Sequence, residues 1–342
     1  MKEIADAFAK ELEQAVRGKK TSLAFLKNPL PDQSLVDEDE LFQVLVVGGT
    51  AYSRALVRNG KIVRKNQAAL PFFKNEEDFL RFFATHLFPK VTFVACSFAY
   101  PLAPLLRKGA LDGKLLWATK EHTFGSLVGK VVGKTLEQYV FAKTKRRIRV
   151  SVVNDTPCLV LAGLTKERKE RLVGGIVGTG MNFGFFLHEK VIVNLEAGSF
   201  DKFTPSKTAM AVDKKSGLPG QFPFLKETAG AYLYQHFNLL SDSPITSTKQ
   251  MSTLAEKGNK TARSLLERSA SLIACQIAGI YKFKKQSKLT FVMEGSLFWK
   301  GWHYKKMVEL YLEELGVPRK AIRFVHIESS GILGAVRLVD GI

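Results

Sequence analysis

The first half of the sequence alternates apolar strand patterns with helical patterns, and this order predicts an α/β fold. An amphipathic helix at the N-terminus precedes FQVLVVGG, a buried-strand pattern that starts at Phe42 and runs into paired glycines. Asn59-Gly60 separates two runs of alternating apolar residues, which predicts a two-residue hairpin turn. Asn75 is placed to cap the next helix. The elements expected after it are a strand at 91–98, a helix around 126–142 and a strand at 148–153.

The second half of the sequence repeats this order of elements. LVGGIVGTG is a strand pattern that runs into glycines, MNFGFFLHEK and VIVNL predict two more short strands, and helices follow. Each half opens with a glycine-bearing turn, VVGGT at Val46–Thr50 and IVGTG at Ile176–Gly180. Either turn alone is readily explained as an ordinary hairpin, but a matched pair favours two polyphosphate-binding turns, because only glycine lets the backbone approach a phosphate so closely. The pattern therefore predicts two ribonuclease-H-like halves around a cleft. The later elements expected are a strand at 289–293, a helix at 304–315, a strand at 322–326 and a helix at 333–339.

Composition narrows the class of protein. The chain has 342 residues, of which 46% are hydrophobic and 24% are charged, and these values exclude a disordered or fibrous protein. The three cysteines, Cys96, Cys158 and Cys275, form no CxxC pair, which excludes a disulfide framework and disfavours a zinc site. No apolar run approaches the ~20 residues that span a bilayer. The N-terminus mixes acidic and basic residues, unlike a signal peptide or a mitochondrial presequence, so we expect a cytoplasmic protein.

The net charge of +19, from 51 Lys and Arg against 32 Asp and Glu, is the one compositional anomaly. It allows three interpretations: a nucleic-acid partner, an anionic small molecule such as ATP, or a merely basic surface. The basic residues fall in short scattered runs at 143–149, 166–171 and 282–288. Nucleic-acid binding favours a clustered stripe with aromatic residues between the bases, so a solvated surface is the simpler interpretation. We expect neither a nucleic-acid nor a membrane partner, and the sequence does not predict an oligomeric state.

Seven segments, in order along the chain, resemble the hexokinase family of the sugar-kinase, heat-shock-protein and actin superfamily. SVVNDTPCLVLAG at Ser151–Gly163 is similar to the catalytic signature of the family, and WATK at Trp117–Lys120 is similar to its sugar-contacting Thr-Lys segment. The other segments with family counterparts are VVGGT at Val46–Thr50, GGIVGTGMNFGFF at Gly174–Phe186, VNLEAGSFD at Val193–Asp201, VDKKSGLPGQ with GAYLYQ at 212–235, and MEGSLFWKGWHYKKM at Met293–Met307. The resemblance implies a duplicated, actin-like fold with a small lobe of residues 41–153 plus about 330–342 and a large lobe of residues 1–40 plus 154–329.

The resemblance also implies a reaction, which is phosphorylation of the 6-hydroxyl of glucose or a related hexose by ATP with Mg²⁺, a step of glycolysis. Asp155 corresponds to the general base of the family, and Lys120 corresponds to the lysine beside the transferred phosphate. Read without the family, Asp155 is more typical of a helix N-cap than of a general base, and the ordered set of family segments reverses that preference. The implied sugar-binding residues are Thr119, Asn154, Asn182 and Glu196. The implied nucleotide-binding residues are Gly48, Gly49, Thr50, Gly178, Thr179, Gly180, Gly295 and Ser296.

The sequence departs from the family pattern at several site positions. Val46 occupies the position of an aspartate that holds Mg²⁺ through water, and Ala99 occupies that of a sugar-contacting serine. Leu225 falls where a second sugar-binding glutamate is expected, with Glu227 two residues away, and the arginine after the first phosphate loop is displaced to Arg54. Two functions therefore stay open. One is an active hexokinase, and the other is a degenerate, weak or inactive relative with a sugar-binding, regulatory or interaction role.

Overall fold

A computed structural model of the chain describes residues 1–117 and 124–341. Thr119 and Lys120, which the resemblance assigns to the site, lie outside the described residues. The chain divides into two compact units. The first unit comprises Met1–Phe25, Glu170–Phe183 and Leu195–His326, and the second unit comprises Leu26–Lys169, Gly184–Asn194 and Ile327–Ile342. The lobe boundaries given above stay a prediction.

Helices and strands alternate along most of the described chain. The helices are α1 Lys2–Val16, α2 Glu76–Thr85, α3 Val132–Thr144, α4 Asp155–Ala162, α5 Lys207–Lys215, α6 Pro223–Thr228, α7 Gly230–Asn238, α8 Thr248–Glu256, α9 Lys260–Lys284, α10 Ser296–Lys300, α11 Tyr304–Glu314 and α12 Ser330–Asp340. The strands are β1 Leu26–Pro29, β2 Phe42–Val47, β3 Ala51–Arg58, β4 Lys61–Ala69, β5 Phe93–Phe98, β6 Leu102–Arg107, β7 Ala110–Leu115, β8 Arg149–Asn154, β9 Leu172–Val177, β10 Met181–His188, β11 Val191–Asn194, β12 Leu289–Glu294 and β13 Ile322–Val325. None of the described helices is long and apolar enough to cross a membrane.

The two larger sheets share one strand order. The five-stranded sheet has the order β4-β3-β2-β5-β8, in which β2, β3 and β4 form an antiparallel meander and β5 and β8 continue parallel to β2. The six-stranded sheet has the order β1-β11-β10-β9-β12-β13, with β12 parallel to both β9 and β13. Apart from β1, each sheet places a three-strand meander first and two parallel strands after it. The duplication predicted from the sequence is therefore confirmed.

Local signals in the sequence produce the turns and caps that were predicted from them. Asn59 and Gly60 join β3 to β4 with φ of 49° and 68°, the left-handed pair that a two-residue hairpin turn requires. The side chain of Asn75 accepts a hydrogen bond from the backbone N–H of Asp78 at 3.0 Å and caps α2. The β3–β4 turn and the cap of α2 both lie in the second unit.

The start of α3, the short strand β1 and the β6–β7 hairpin differ from the prediction. The helix expected from about residue 126 begins at Val132, because Asp112 accepts hydrogen bonds from the N–H groups of Gly133 at 2.8 Å and Lys134 at 3.1 Å and so caps the helix there. The β6–β7 hairpin was not predicted. Its strands carry Pro104 and Gly113, two residues that weaken a strand pattern, so the alternation is hard to recognise in the sequence.

Each unit has its own apolar core. In the second unit, Phe79, Tyr100 and Phe124 pack ring to ring, with centroids 5.4 Å apart for Phe79–Phe124 and 4.6 Å apart for Tyr100–Phe124. In the first unit, α1 packs on α9 where Gly279 allows a close approach, since a Cβ at that position would lie 2.9 Å from the carbonyl oxygen of Ala5. These cores fix the strand ends from which the site residues project.

Candidate active site

Asn154 and Asp155 lie at the junction of β8 and α4 in the second unit. The side-chain oxygen of Asn154 accepts a hydrogen bond from the N–H of Thr156 at 3.0 Å, and its amide nitrogen donates to the carbonyl oxygen of Tyr100 at 3.2 Å. Asn154 is therefore the N-cap of α4, and Asp155 is the first residue of the helix. The sequence allowed Asp155 to be the N-cap of this helix, but its neighbour Asn154 is the N-cap in the structure.

The negative charge of Asp155 acts on two titratable neighbours, Tyr100 and Cys158. Burial, and then the negative charge of Asp155, raise the pKa of the Tyr100 phenol. Burial raises the pKa of the Cys158 thiol to about 12, and the charge of Asp155 acts in the same direction. Asp155 itself is only half-buried, between the fully buried Cys158 on its own helix and the core around Tyr100. A carboxylate that is partly open to solvent at a helix start is a candidate proton acceptor.

The first glycine turn joins β2 to β3 in the second unit. The N–H of Gly48 donates to the carbonyl oxygen of Ala51 at 3.0 Å, and a Cβ at Gly48 would lie 2.8 Å from that oxygen. Thr50 is exposed at the end of the turn, and its carbonyl oxygen accepts a hydrogen bond from the N–H of Leu70 at 2.9 Å. Glycine is thus required at position 48 by the turn itself, so this glycine alone does not identify a phosphate loop.

Val46, in the position of the family aspartate, packs against the start of α12. A Cβ at Gly331 would lie 3.0 Å from one methyl carbon of Val46 and 3.8 Å from the hydroxyl oxygen of Ser97. Val46 also pairs with Ser97 in the parallel register of β2 and β5. An apolar side chain held in this way supplies no ligand for a cation, so the residues at this end of β2 do not fit the magnesium contact that the resemblance implies.

Arg54 is directed away from the first glycine turn. Its guanidinium donates to the carbonyl oxygen of His86 at 3.1 Å and lies 4.7 Å from the ring centroid of Phe88. This arginine therefore stabilises the packing of β3 on the end of α2. It does not replace the arginine that the family carries after the loop.

The second glycine turn, Gly178–Gly180 in the first unit, is packed tightly between two helix starts. The carbonyl oxygens of Gly178 and Thr179 accept hydrogen bonds from the N–H groups of Gly230 at 2.8 Å and Ala231 at 3.1 Å, at the beginning of α7. A Cβ at Gly178 would lie 3.1 Å from the Cα of Gly295, which precedes α10. The structure thus brings together two of the segments to which the resemblance assigns the nucleotide, Gly178–Gly180 and Gly295–Ser296, and packs the start of α7 against them.

The open side of this turn offers space and hydroxyl groups. The side chains of Thr179 and Ser296 are exposed, and a Cβ at Gly180 would meet nothing within 4 Å. Gly295 adopts a φ of 111° and its Cβ would clash with the carbonyl oxygen of Val177, so no other residue fits there. The turn at Gly178–Gly180 is packed against protein on one side and open on the other, so a ligand can approach its backbone closely from the open side.

Asn182 and Glu196 come together in the first unit, although the sequence separates them. The side-chain oxygen of Asn182 accepts hydrogen bonds from the N–H of Phe183 at 2.8 Å and from the N–H of Ala197 at 3.1 Å. Glu196 adopts a φ of 50° and leads into a buried turn at Ala197–Ser199. The tight, partly buried turn predicted after Glu196 is confirmed, and Asn182 holds it in place.

Neither residue near the expected second glutamate is available as an acidic sugar contact. Leu225 packs over the same turn, since a Cβ at Gly198 would lie 2.8 Å from the Cβ of Leu225. Glu227 is buried and accepts hydrogen bonds from the guanidinium of Arg268 at 2.5 Å and from the N–H of Ser206 at 2.8 Å. Its charge therefore balances Arg268 inside the first unit.

Two residues of this region were missed by sequence reasoning. A Cβ at Gly230 would lie 2.7 Å from the carbonyl oxygen of Gly178, and the hydroxyl of Thr248 donates to the carbonyl oxygen of Gly230 at 2.6 Å. The glycine that opens the GAYLYQ segment was the available signal for the first. Nothing local identifies Thr248, because its partner lies on another helix.

Comparisons with known proteins were made for the sequence and for the fold. Residues 238–339 match the hexokinase family model. A search of curated proteins finds no match. Among solved structures, a glucose-bound hexokinase from Schistosoma mansoni has a TM-score of 0.79 and 18% identity, with 99% of this chain and 95% of that chain covered. A ROK hexokinase from Thermus thermophilus has a TM-score of 0.62 and 17% identity over 87% of this chain and 97% of that chain. The family model confirms the resemblance to the hexokinase family over residues 238–339, and the solved structures show that the chain has their actin-like α/β fold.

Proposed function

We propose that this chain, which resembles the hexokinase family and shares its fold, is an ATP-dependent kinase that phosphorylates the 6-hydroxyl of glucose or a related hexose in the cytoplasm. The observation that carries the proposal is the junction of β8 and α4. Asn154 caps the helix through Thr156, so the carboxylate of Asp155 is not used as the cap. As the sugar hydroxyl attacks the γ-phosphorus, its proton passes to Asp155 and ADP leaves.

The first unit supports the nucleotide part of the proposal. The turn at Gly178–Gly180 packs against Gly230 and Gly295 and leaves Thr179 and Ser296 exposed on its open side. We assign the phosphates of ATP to that side, where backbone N–H groups and hydroxyls stabilise negative charge. Magnesium brought by ATP neutralises phosphate charge, but Val46 supplies no contact to it, so no step of the proposal depends on a protein ligand to the metal.

The sugar part of the proposal rests on Asn182 and Glu196. The hydrogen bond from Ala197 N–H to Asn182 fixes the turn that carries Glu196. We assign sugar hydroxyls to this pair. Asn154 and Thr119 stay the further sugar-binding residues, and Lys120 the residue beside the transferred phosphate, that the resemblance implies. Leu225 presents an apolar side chain beside the same turn. Because Leu225 cannot bind a sugar hydroxyl, the substrate we propose includes hexoses other than glucose that do not need this contact.

The test is an assay of ATP-dependent phosphorylation by the purified protein on glucose, mannose, fructose and glucosamine. Wild-type protein is compared with Asp155→Ala and with Glu3→Gln, which removes an exposed first-turn carboxylate of α1. We expect turnover on at least one sugar, a loss of about 100-fold or more in Asp155→Ala, and no change in Glu3→Gln. Absence of turnover on every sugar at high protein concentration, or equal activity of Asp155→Ala, would sink the kinase assignment.

The second candidate function is a degenerate hexokinase that binds sugar or nucleotide without useful turnover. Three observations favour it: Val46 packs against Gly331, Glu227 balances Arg268, and Arg54 stacks on Phe88. Calorimetric titration with ATP and with each sugar distinguishes the two functions. Binding without turnover supports the degenerate relative, whereas turnover that depends on Asp155 supports the kinase.

A further inference from the structure

The end of α3 and its connection to β8 form a basic surface that the proposed kinase site does not use. We call it the α3 tip and define it as Phe141, Lys143, Lys145, Arg147 and Arg149, all of which are exposed. The residues between the two arginines and after them, Ile148 and Val150, are buried. The alternation places both arginines on the exposed face, although the guanidinium of Arg149 also lies 5.4 Å from the ring centroid of buried Phe93.

Cations from other parts of the second unit join this surface. The guanidinium of Arg146 donates to the carbonyl oxygens of Phe88 and Val91, both at 3.1 Å, so the loop that carries exposed Lys90 lies beside the α3 tip. The guanidinium of Arg149 donates to the carbonyl oxygen of Lys108 at 3.4 Å, in the turn between β6 and β7. The fold therefore adds the segments that carry Lys90 and Lys108 to the basic run at 143–149.

The positive charges of Lys143, Lys145 and Arg147 are not balanced by a neighbouring carboxylate, whereas Arg149 donates to the carbonyl oxygen of Leu35 at 3.3 Å, two residues before the acidic run at 37–40. Elsewhere on the surface Lys130 lies 2.8 Å from Glu76 and Lys305 lies 3.0 Å from Glu309. Within the described part of the chain, no carboxylate lies within 4.0 Å of Lys143, Lys145 or Arg147. Glu40 borders the surface, but it accepts a hydrogen bond from the hydroxyl of Thr92. A helix C-terminus favours a few basic residues in its last turn, but that does not account for Lys90 and Lys108.

An exposed aromatic ring lies among these cations. The side chain of Phe141 is 43% exposed, with Arg147 at 5.2 Å and Lys145 at 5.8 Å from its ring centroid. A phenylalanine left on the surface forgoes the stabilisation that burial would give. Five consecutive residues, Phe141–Lys145, are exposed, so the ring lies on a projecting end of the helix and not in a groove.

We propose that the α3 tip docks on an anionic membrane surface, with its cations on acidic headgroups and Phe141 at the boundary with the acyl chains. Single-stranded nucleic acid is bound by a groove in which several aromatic rings stack on successive bases, and the α3 tip offers one ring on a convex end. Anionic lipid attracts unpaired surface cations and accepts an apolar side chain, which fits both features. The proposal departs from the sequence expectation of no membrane partner, because the gathering of cations is a product of the fold.

The test is flotation of the full-length protein with vesicles of phosphatidylcholine, alone or mixed with phosphatidylserine. We expect binding to the mixed vesicles only, weakening with added salt. Each removed charge is expected to reduce partitioning about fivefold, so the variant K143Q/K145Q/R147Q should bind on the order of 100-fold more weakly. Phe141→Ser should bind several-fold more weakly while keeping the salt dependence. The control K19Q/K20Q/K288Q removes three exposed charges elsewhere and should bind like wild type.

Three results would overturn the proposal. The first is equal binding to neutral and anionic vesicles, and the second is an equal loss in the α3-tip and control variants. The third is binding of a labelled single-stranded oligonucleotide, lost in Phe141→Ser, together with no binding to either kind of vesicle. Circular dichroism of each variant establishes that the protein is folded, and none of these measurements depends on kinase activity.

Discussion

The side-chain oxygen of Asn154 accepts a hydrogen bond from the backbone N–H of Thr156 at 3.0 Å. The cap of α4 and the carboxylate proposed as the general base therefore belong to adjacent but different residues. A substitution at Asn154 tests the cap together with the proposed sugar contact, and a substitution at Asp155 tests the proposed base.

The first prediction separates these two roles. Asn154→Ala removes the cap and should lower the free energy of unfolding by about 1–2 kcal/mol. Asp155→Asn keeps the cap and the shape of the side chain, so it should lower the free energy of unfolding by less than Asn154→Ala does, while turnover falls by about 100-fold or more. Urea unfolding followed by circular dichroism and a sugar phosphorylation assay measure the two effects. The prediction is contradicted if Asp155→Asn destabilises the protein as much as Asn154→Ala does and if its loss of activity is no larger than its loss of folded protein.

The second prediction concerns the packing of the second glycine turn. Gly180→Ala adds a methyl group that meets nothing within 4 Å, so the melting temperature should stay unchanged. If the open side of the turn receives phosphates, that methyl group should still weaken ATP binding, measured by calorimetric titration. Gly178→Ala should reduce both stability and ATP binding, because its Cβ would lie 3.1 Å from the Cα of Gly295.

Gly217→Ala is the matched control, since this glycine also lies in the first unit and its Cβ would meet nothing within 4 Å. It should change neither quantity. If wild type, Gly180→Ala and Gly217→Ala bind ATP with the same affinity, the assignment of the ATP phosphates to this turn is wrong.

The third prediction concerns the apolar residue at the end of β2. Val46→Asp introduces a carboxylate of similar size beside Gly331 and Ser97. If the rate is limited by poor handling of Mg·ATP, this variant should raise turnover or lower the Mg²⁺ concentration for half-maximal activity. Val46→Asn has the same shape without the charge and should show neither effect. Equal behaviour of the two variants would mean that the missing aspartate does not limit activity.

Much of the fold could be predicted because its signals are local. Asn59-Gly60 sets a hairpin turn through the left-handed φ of two adjacent residues, and Asn75 caps α2 through a bond to a residue three positions on. The repeat of a meander followed by alternating helices and strands is also visible in the pattern, because each strand is a short apolar run between turns. The turn after Glu196 was predictable for the same reason.

The remaining features depend on contacts between distant parts of the chain. The start of α3 is set by Asp112, which lies on a strand of the preceding hairpin. Leu225 reaches the site by packing over Gly198, and Arg54 is drawn to the carbonyl oxygen of His86. Neither periodicity nor motif spacing predicts contacts between residues that lie far apart in the sequence. The sequence therefore did not reveal which residues Asp112, Leu225 and Arg54 would contact.

The last prediction follows from a buried histidine in the first unit. His236 is 1% exposed, with one ring nitrogen 2.9 Å from the carbonyl oxygen of Lys226 and the other 2.9 Å from the hydroxyl of Thr208. The carbonyl oxygen only accepts, so the ring nitrogen facing it carries the proton and the neutral ring satisfies both partners. Burial is the main cause that lowers the pKa of His236 below its usual range.

The sign of the pH effect follows from this lowered pKa. Below the ordinary histidine pKa of about 6.5, the unfolded chain takes up a proton at His236 that the folded chain does not. The free energy of unfolding should therefore fall as the pH drops below that value, by at most about 1.4 kcal/mol per pH unit from this group, and the fall should end once the folded ring is also protonated. Urea unfolding between mildly acidic and neutral pH measures the slope. His236→Gln removes the titrating group and should flatten it, whereas His188→Gln, at an exposed position, should not. An unchanged slope in His236→Gln would assign the acid sensitivity to other groups.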